Sequence, residues 1–254
     1  MAPLSARPQR NIDSVEAAIR CDLAACYRLV ALFGWDDMTA THISARVPGE
    51  GETFLINPYG MFFEEITASS LVKINADGEI LEPTDYPVNQ AGFVIHSAVH
   101  MAREDAGCVI HLHTRDGMAV SAIEDGLLPL TQTAMVLTGD ITYHEYEGVA
   151  LRLEERERLQ RDLGDKDLMI LRNHGTLAVG RTIREAFRRI SLLESACSAQ
   201  VAALSMGRPV HFPDPAVVEM TDREYTPKLM EISAERAWPG LLRKLDRINP
   251  GYAD

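Results

Sequence analysis

The segment of residues 108–113, CVIHLH, places two histidines in a run that otherwise has the composition of a buried strand. Side chains of a strand alternate between its two faces, so His111 and His113 share one face while their apolar neighbours lie on the other. A rise of about 3.3 Å per residue puts the two Cα atoms about 6.5 to 7 Å apart. Both imidazoles can therefore converge on one ion, although two hydrogen-bonded, partly buried histidines without an ion are the alternative.

A third histidine favours the metal interpretation. His174 follows the apolar run LMIL and stands between Asn173 and Gly175, where a strand ends and a glycine lets backbone approach closely. Three neutral imidazoles that leave one coordination position open are the ligand set of a catalytic Zn²⁺ or a similar divalent ion.

Helical and strand periodicities alternate along the rest of the chain. Helices are predicted from Ser14 to Gly34, over 89–105, after a possible cap at Thr114, over 153–165, and from 182 to about 207. Strands are predicted at 42–47, 53–58, 72–81, 108–113 and 168–180. The Asp77-Gly78 pair within 72–81 is a hairpin signal. Strands interspersed with helices indicate an α/β fold in which helices cover a mixed sheet.

Composition limits the class of protein. The 254 residues carry a formal charge of −12, which argues against nucleic acid or an anionic membrane as the main partner. No apolar run reaches 18 residues, no signal peptide is evident, and residues 1–12 have the composition of a loose arm. The four cysteines lack CxxC spacing and lie in apolar contexts, which predicts reduced thiols and a cytoplasmic location.

The domain organisation is predicted to be simple. No repeat or composition break appears before about residue 208, so residues 13–207 are expected to form one domain. Residues 208–254 begin with a proline-containing connection and end in a helical segment, roughly 222–247. We expect this extension to pack on the same domain or on a neighbouring subunit.

The motifs resemble those of a known family. HLH at 111–113, RNHG at 172–175 and the helix that starts TIREAF are similar to the class II aldolase/adducin family. The stretches FLINPYGMFFEEITASSLVKIN and AGFVIHSAVH look closest to the adducin head domain and its bacterial relatives.

The resemblance implies a three-layer class II aldolase-like fold with a central, mostly antiparallel sheet flanked by helices. It implies His111, His113 and His174 as the ligands of one divalent metal, Zn²⁺ before Mn²⁺ or Fe²⁺, which in the family's sugar-phosphate aldolases polarises a ketose carbonyl. A small-molecule substrate and a four-fold homotetramer are also implied, and the small, apolar residues of the helix over 182–204 are candidates for the subunit contact.

Three departures from the aldolase pattern bear on the substrate. The aldolases carry Ser-Ser-Glu, whose Glu is the general base, where this chain has Gln90, Ala91 and Gly92. Their phosphate loop, Gly-Asn-x-Ser, matches a stretch that contains His42, and their Thr-Gly pair matches a stretch that ends in Gly60. Because donors for a phosphate are exchanged, a carboxylate-bearing substrate is expected instead.

Other polar residues are then candidates for binding and catalysis. His42, Gly60, Gln90 and Arg115 are predicted to contact substrate, although His42 could instead face solvent at a strand edge and Arg115 could be a surface residue. Tyr143, His144 and Tyr146, close together in ITYHEYEG, are the catalytic candidates, since a tyrosine donates a proton in the family's aldolases. His96 and His100 are interpreted as packing or surface residues, and His211 as a loop residue.

Two functions follow from these observations. The first is a metal-dependent lyase that acts on a keto or hydroxy acid by retro-aldol cleavage or decarboxylation, the latter requiring no carboxylate base. The second is a non-catalytic, adducin-head-like binding protein with a structural metal or none.

Overall fold

The structure is a computed structural model that describes residues 14–150 and 152–254, with only the backbone of Gln90 and Ala91. The arm predicted at 1–12 and residue 13, the expected first residue of the domain, lie outside the described residues. In the described ranges, no helix is long and apolar enough to cross a membrane.

The described part of the chain forms seven strands, eight α-helices and one 3₁₀ turn. The strands are β1 (His42–Arg46), β2 (Thr53–Ile56), β3 (Val72–Asn75), β4 (Cys108–Leu112), β5 (Ile141–His144), β6 (Leu168–Leu171) and β7 (Gly175–Gly180). The helices are α1 (Ser14–Leu32), α2 (Gln90–Ala102), α3 (Arg115–Ser121), α4 (Gln132–Met135), α5 (Glu155–Leu163), α6 (Ile183–Ser205), α7 (Pro215–Glu224) and α8 (Pro227–Ile248), and the 3₁₀ turn is Phe63–Glu65.

All seven strands join one sheet in the order β3-β2-β1-β4-β7-β6-β5. Every neighbouring pair is antiparallel except β5 and β6, which are parallel. The predicted mixed, mostly antiparallel sheet is therefore confirmed. Strand β4 lies at its centre, which explains why both faces of CVIHLH are covered.

Helices cover both faces of the sheet and complete three layers. The main core lies on one face, where Cys108, Ile110 and Leu112 pack against α1, α3 and α6. On the other face Val109 packs with α2 and α5. The two faces of β4 that the alternation predicted thus pack into two separate hydrophobic clusters, one on each side of the sheet.

Local signals fix several helix ends. Thr114 caps α3 through a hydrogen bond that its side chain accepts from the Gly117 N–H, as predicted. The C-terminal segment was expected to be a single helix, but the chain breaks after Glu224 and restarts at Pro227, behind a Thr226 cap. Proline is favoured at the first position of a helix because its missing N–H would be unpaired there.

Two β features differ from expectation. The hairpin predicted at Asp77-Gly78 is reduced to a single bridge between Ile74 and Ile80. Strand β5 was not predicted, because ITYH is only four residues long and is only partly buried at the sheet edge.

Helix α8 completes the main core. Trp238 and Leu245 are buried against α1 and α6, and the Trp238 indole N–H donates to the Asp22 carboxylate at 3.1 Å. Together with β7 and α3, α8 also covers α6, where Leu193 and Cys197 are fully buried. Packing of α6 on its own sheet is thus as expected, and a contact of this helix with a partner subunit stays a prediction.

Replacement of Leu245 by Ala should lower the free energy of unfolding by about 2 to 5 kcal/mol, because it opens a cavity beneath a fully buried side chain. Leu229→Ala, in the same helix but 46% exposed, is the matched control and should cost about 1 kcal/mol or less. Denaturant titration measures both, and equal losses would contradict a core role for α8.

Candidate metal centre

Three histidines meet at the C-terminal end of β4. Nε2 of His111 lies 2.9 Å from Nε2 of His113 and 3.3 Å from Nε2 of His174. One ligand atom from each residue falls within 4.8 Å of the other two, a spacing suited to one ion. His111 is fully buried, whereas the other two are partly exposed, so the cluster opens to one side.

The turn between β6 and β7 brings His174 to the pair. Asn173 has a φ of 55°, the left-handed conformation that asparagine tolerates better than most residues. At Gly175 a Cβ would lie 2.2 Å from the Leu112 carbonyl oxygen, so only glycine permits this approach of β7 to β4. The close backbone approach predicted from RNHG is confirmed.

Hydrogen bonds orient two of the rings. Nδ1–H of His111 donates to the Thr176 carbonyl at 3.0 Å, and Nδ1–H of His113 donates to the Asp37 carboxylate at 3.2 Å. The Nε2 atoms of both rings are then unprotonated and point to the centre of the cluster. This tautomer is the one that a metal ligand needs. Lone pairs this close repel one another unless a cation lies between them, so the donor set fits a divalent metal.

Burial keeps the rings of His111 and His174 neutral. It lowers the pKa of His111 well below the usual value, and the neighbouring His174, His113 and His42 lower it further. It also lowers the pKa of His174 to about 4, helped by His113 and His144. Neutral imidazoles at physiological pH are ready to coordinate a metal without losing a proton.

A buried carboxyl group supports the site from α6. Glu194 accepts hydrogen bonds from the hydroxyls of Thr176 and Thr114, and burial raises its pKa. These contacts join α6 to Thr176, whose carbonyl orients the His111 ring, and to Thr114, which follows His113. Neither Glu194 nor Asp37 was predicted, because both lie far from the histidines in sequence and no local pattern marks them.

His42 lies beside the cluster. It is paired with His111 across β1 and β4, their ring centroids are 5.2 Å apart, and it is only 2% exposed. The alternative of a solvent-facing residue is therefore wrong, because β1 is an inner strand covered by α2. His96 and His100 are both buried and hydrogen-bonded, which agrees with packing and not with a surface position.

The three residues of ITYHEYEG occupy different positions. Tyr146 is half exposed, and its ring centroid is 6.3 Å from that of His174. His144 is buried, with Nδ1 2.7 Å from the Asp162 carboxylate, and it lines a cleft together with Tyr146 and His174. Tyr143 points to the other face of β5, where its hydroxyl accepts from the Leu127 N–H.

The remaining candidates have few contacts within the chain. Arg115 is 92% exposed along its side chain and pairs with Asp116 at 3.2 Å. Gly60 lies in an exposed turn with a φ of 105°, a conformation that favours glycine. The side chain of Gln90 is outside the described part of the structure, and His211 is exposed, as expected for a loop.

Comparison with known proteins agrees with this geometry. Residues 21–201 match the family model of the class II aldolase and adducin N-terminal domain. The chain belongs to this family. A crystal structure of an aldolase II superfamily protein from Pseudomonas syringae is 47% identical, with a TM-score of 0.90 and coverage of 96% of this chain and 98% of that one.

Two further relatives carry the aldolase and adducin names that appear in the description of the family model. An L-fuculose 1-phosphate aldolase from Glaciozyma antarctica is 27% identical, with a TM-score of 0.82, over 95% of this chain and 96% of that one. Mouse alpha-adducin is 49% identical over 196 residues, which are 76% of this chain but only 26% of adducin. The chain therefore shares its fold with an aldolase over 95% of its length, whereas its match to alpha-adducin spans about one quarter of that protein.

Replacement of His113 by Ala should reduce bound metal well below one equivalent, because two imidazoles with an open coordination sphere hold a divalent ion weakly. His211→Ala removes an exposed histidine outside the cluster and should leave the metal content unchanged. Elemental analysis of the purified proteins gives both values, and a full equivalent in the His113 variant would contradict the assignment.

Proposed function

We propose that this protein is a metal-dependent carbon–carbon lyase that acts on a keto or hydroxy acid. The observation that carries the proposal is the convergence of three Nε2 atoms, two of them on rings whose Nδ1–H is held by Thr176 and Asp37. The aldolase relative supports the reaction class, since its name describes a lyase that acts on a sugar phosphate. Family membership alone does not select a reaction.

His111, His113 and His174 would hold the metal, with Zn²⁺ the first choice for three imidazoles and Mn²⁺ or Fe²⁺ the alternatives. When bound, such an ion supplies a Lewis acid that takes up electron density from a chelating keto or hydroxy oxygen. The partly exposed positions of His113 and His174 leave room for a substrate on the open side. Buried His111 closes the other side against water.

The proposal that this site works without the aldolases' carboxylate base rests on Gly92. A Cβ at this position would lie 2.5 Å from Cδ2 of His42, so no carboxylate side chain fits there while His42 keeps its position. An enzyme without the aldolase base can still release CO₂ from a bound β-keto acid, because the electron pair of the broken C–C bond passes through the adjacent carbon to the keto oxygen, and a proton donor then returns a proton to that carbon. Decarboxylation and retro-aldol cleavage are both consistent with this site.

Tyr146 is the proton donor in this proposal. Its ring centroid lies 6.3 Å from that of His174, and about half of the residue is exposed. His144, held by Asp162 in the same cleft, would support the donor or accept a substrate contact. Tyr143 is a weaker candidate because its hydroxyl is engaged by Leu127.

Arg115, Gly60 and Gln90 remain proposed substrate contacts. Arg115 lies two residues after His113, and its exposed guanidinium, which pairs with Asp116, would suit a substrate carboxylate. A residue so exposed would act best in an assembly that encloses it.

A non-catalytic, adducin-head-like protein is the second candidate. The 49% identity to mouse alpha-adducin and the lack of a carboxylate at position 92 favour it. The ordered donor set around the metal site favours the enzyme, because unpaired polar rings in a buried setting cost about 1 to 3 kcal/mol each.

The metal-loaded protein should convert at least one keto or hydroxy acid, and His174→Ala should reduce conversion to background because it removes a ligand. The assay follows a panel of keto acids, hydroxy acids and sugar phosphates by NMR, with His211→Ala as the control that should keep full activity. Faster cleavage of a sugar phosphate than of every acid would restore the aldolase assignment. Full metal occupancy without any turnover would favour the adducin-like alternative.

We also propose a cytoplasmic homotetramer. Four free thiols, three of them buried, suit a reducing compartment. Light scattering at micromolar concentration should give four times the chain mass of 28.1 kDa, because enclosure by a neighbouring subunit would complete a site with one open side. A mass of one chain would contradict the tetramer.

A further inference from the structure

A buried chain of hydrogen bonds leads from the metal site, between β1 and α2, to the loop that follows α2. Nδ1 of His42 lies 2.8 Å from Nε2 of His96, and Nδ1 of His96 lies 2.6 Å from the hydroxyl of Ser44. That hydroxyl lies 2.7 Å from Nε2 of His100, whose Nδ1 lies 2.9 Å from the carbonyl of Ala106. All four side chains are buried, so water does not compete for these bonds.

The Ala106 carbonyl at the end of this chain determines which group donates in each of its hydrogen bonds. A carbonyl only accepts, so Nδ1 of His100 carries a proton. Burial lowers the pKa of His100 to about 3, which keeps the ring neutral and leaves its Nε2 as an acceptor. Ser44 must then donate to His100 and accept from Nδ1–H of His96. Nε2 of His96 is consequently an acceptor, and Nδ1–H of His42 donates to it.

At the His42 end of the chain, these donor and acceptor assignments leave Nε2 of His42 without a proton. No residue in the described part of the chain donates a hydrogen bond to that atom. The ring is fixed between His111, at a centroid distance of 5.2 Å, and Gly92, whose missing side chain provides its space. His42 stands outside the group of metal ligands but directly beside it. An oriented acceptor is therefore held next to the metal site.

We propose that Nε2 of His42 accepts a hydrogen bond from a hydroxyl group of the substrate, so that the site prefers a hydroxy acid to the keto acid of the same carbon skeleton. The inference rests on the function proposed above. A hydroxyl can donate to the lone pair, whereas a keto oxygen would meet it with lone pairs of its own. His96, Ser44 and His100 are positioning residues that act through His42.

The tautomers test the chain directly. In the zinc-loaded protein with ¹⁵N-labelled histidine, long-range ¹H–¹⁵N spectra should show Nδ1–H and unprotonated Nε2 for His42, His96 and His100. A proton on Nε2 of His42 would overturn the inference. No turnover is needed, so this result is separate from the lyase assay and from its failure.

Removal of the serine tests the positioning role. In Ser44→Ala, His96 loses the acceptor of its Nδ1–H, so its Nε2–H form should appear while His100 keeps Nδ1–H. Ser97→Ala is the matched control, because Ser97 is also buried but bonds only to carbonyls of its own helix, and it should change no tautomer. Unchanged tautomers in Ser44→Ala would contradict the relay. If that variant does not fold, the spectrum of the unaltered protein decides.

Ligand binding tests the substrate preference. Calorimetry with the zinc-loaded protein should give about 3- to 10-fold tighter binding of lactate than of pyruvate, the value of one hydrogen bond. In His42→Ala the preference should vanish while bound zinc stays at one equivalent, since His42 is not a ligand. Equal affinities in the unaltered protein, or a preference that survives in His42→Ala, would overturn the proposal.

Discussion

The contact among three imidazole nitrogens at the end of β4 is the constraint on which the rest of the site depends. Neutral rings with their lone pairs 2.9 and 3.3 Å apart do not stay together by themselves. They are held by acceptors behind them, Thr176 behind His111 and Asp37 behind His113. A carboxyl from α6, Glu194, in turn holds Thr176. The orientation of the rings is thus set by groups from several separate elements, and a bound cation would complete it.

The same strand pairing that builds the metal site also builds its surroundings. His42 is opposite His111 in the register of β1 and β4, so its ring must lie on the α2 side of the sheet, next to the cluster. There it requires glycine at position 92. The residues at position 42 in β1 and position 92 in α2 are therefore physically linked, because the His42 imidazole occupies the space that a side chain at position 92 would need.

The buried hydrogen-bond chain from His42 to His100 requires a partner for each of its polar groups, and this requirement restricts the conformation of the protein. Each buried imidazole must be hydrogen-bonded, because an unsatisfied polar group in the interior costs about 1 to 3 kcal/mol. His96, Ser44 and His100 satisfy one another and end on a backbone carbonyl, so the chain has only one consistent arrangement of protons among neutral rings. A network of this kind specifies a unique conformation of α2 over β1. The network thereby links the position of His42, the proposed substrate contact, to the packing of α2 on the sheet.

The sequence by itself determined the two faces of β4, the α/β class, the family and the three metal-ligand candidates, because alternation, helical periodicity and the HLH and RNHG motifs are local properties of the chain. It did not determine which other polar residues join them. Asp37, Glu194 and the His42–His96–Ser44–His100 chain come together only through strand register and helix packing, over separations of tens of residues. The division of the last helix and the covering of α6 by α8 were also decided there, since burial is a property of the whole fold and not of any segment.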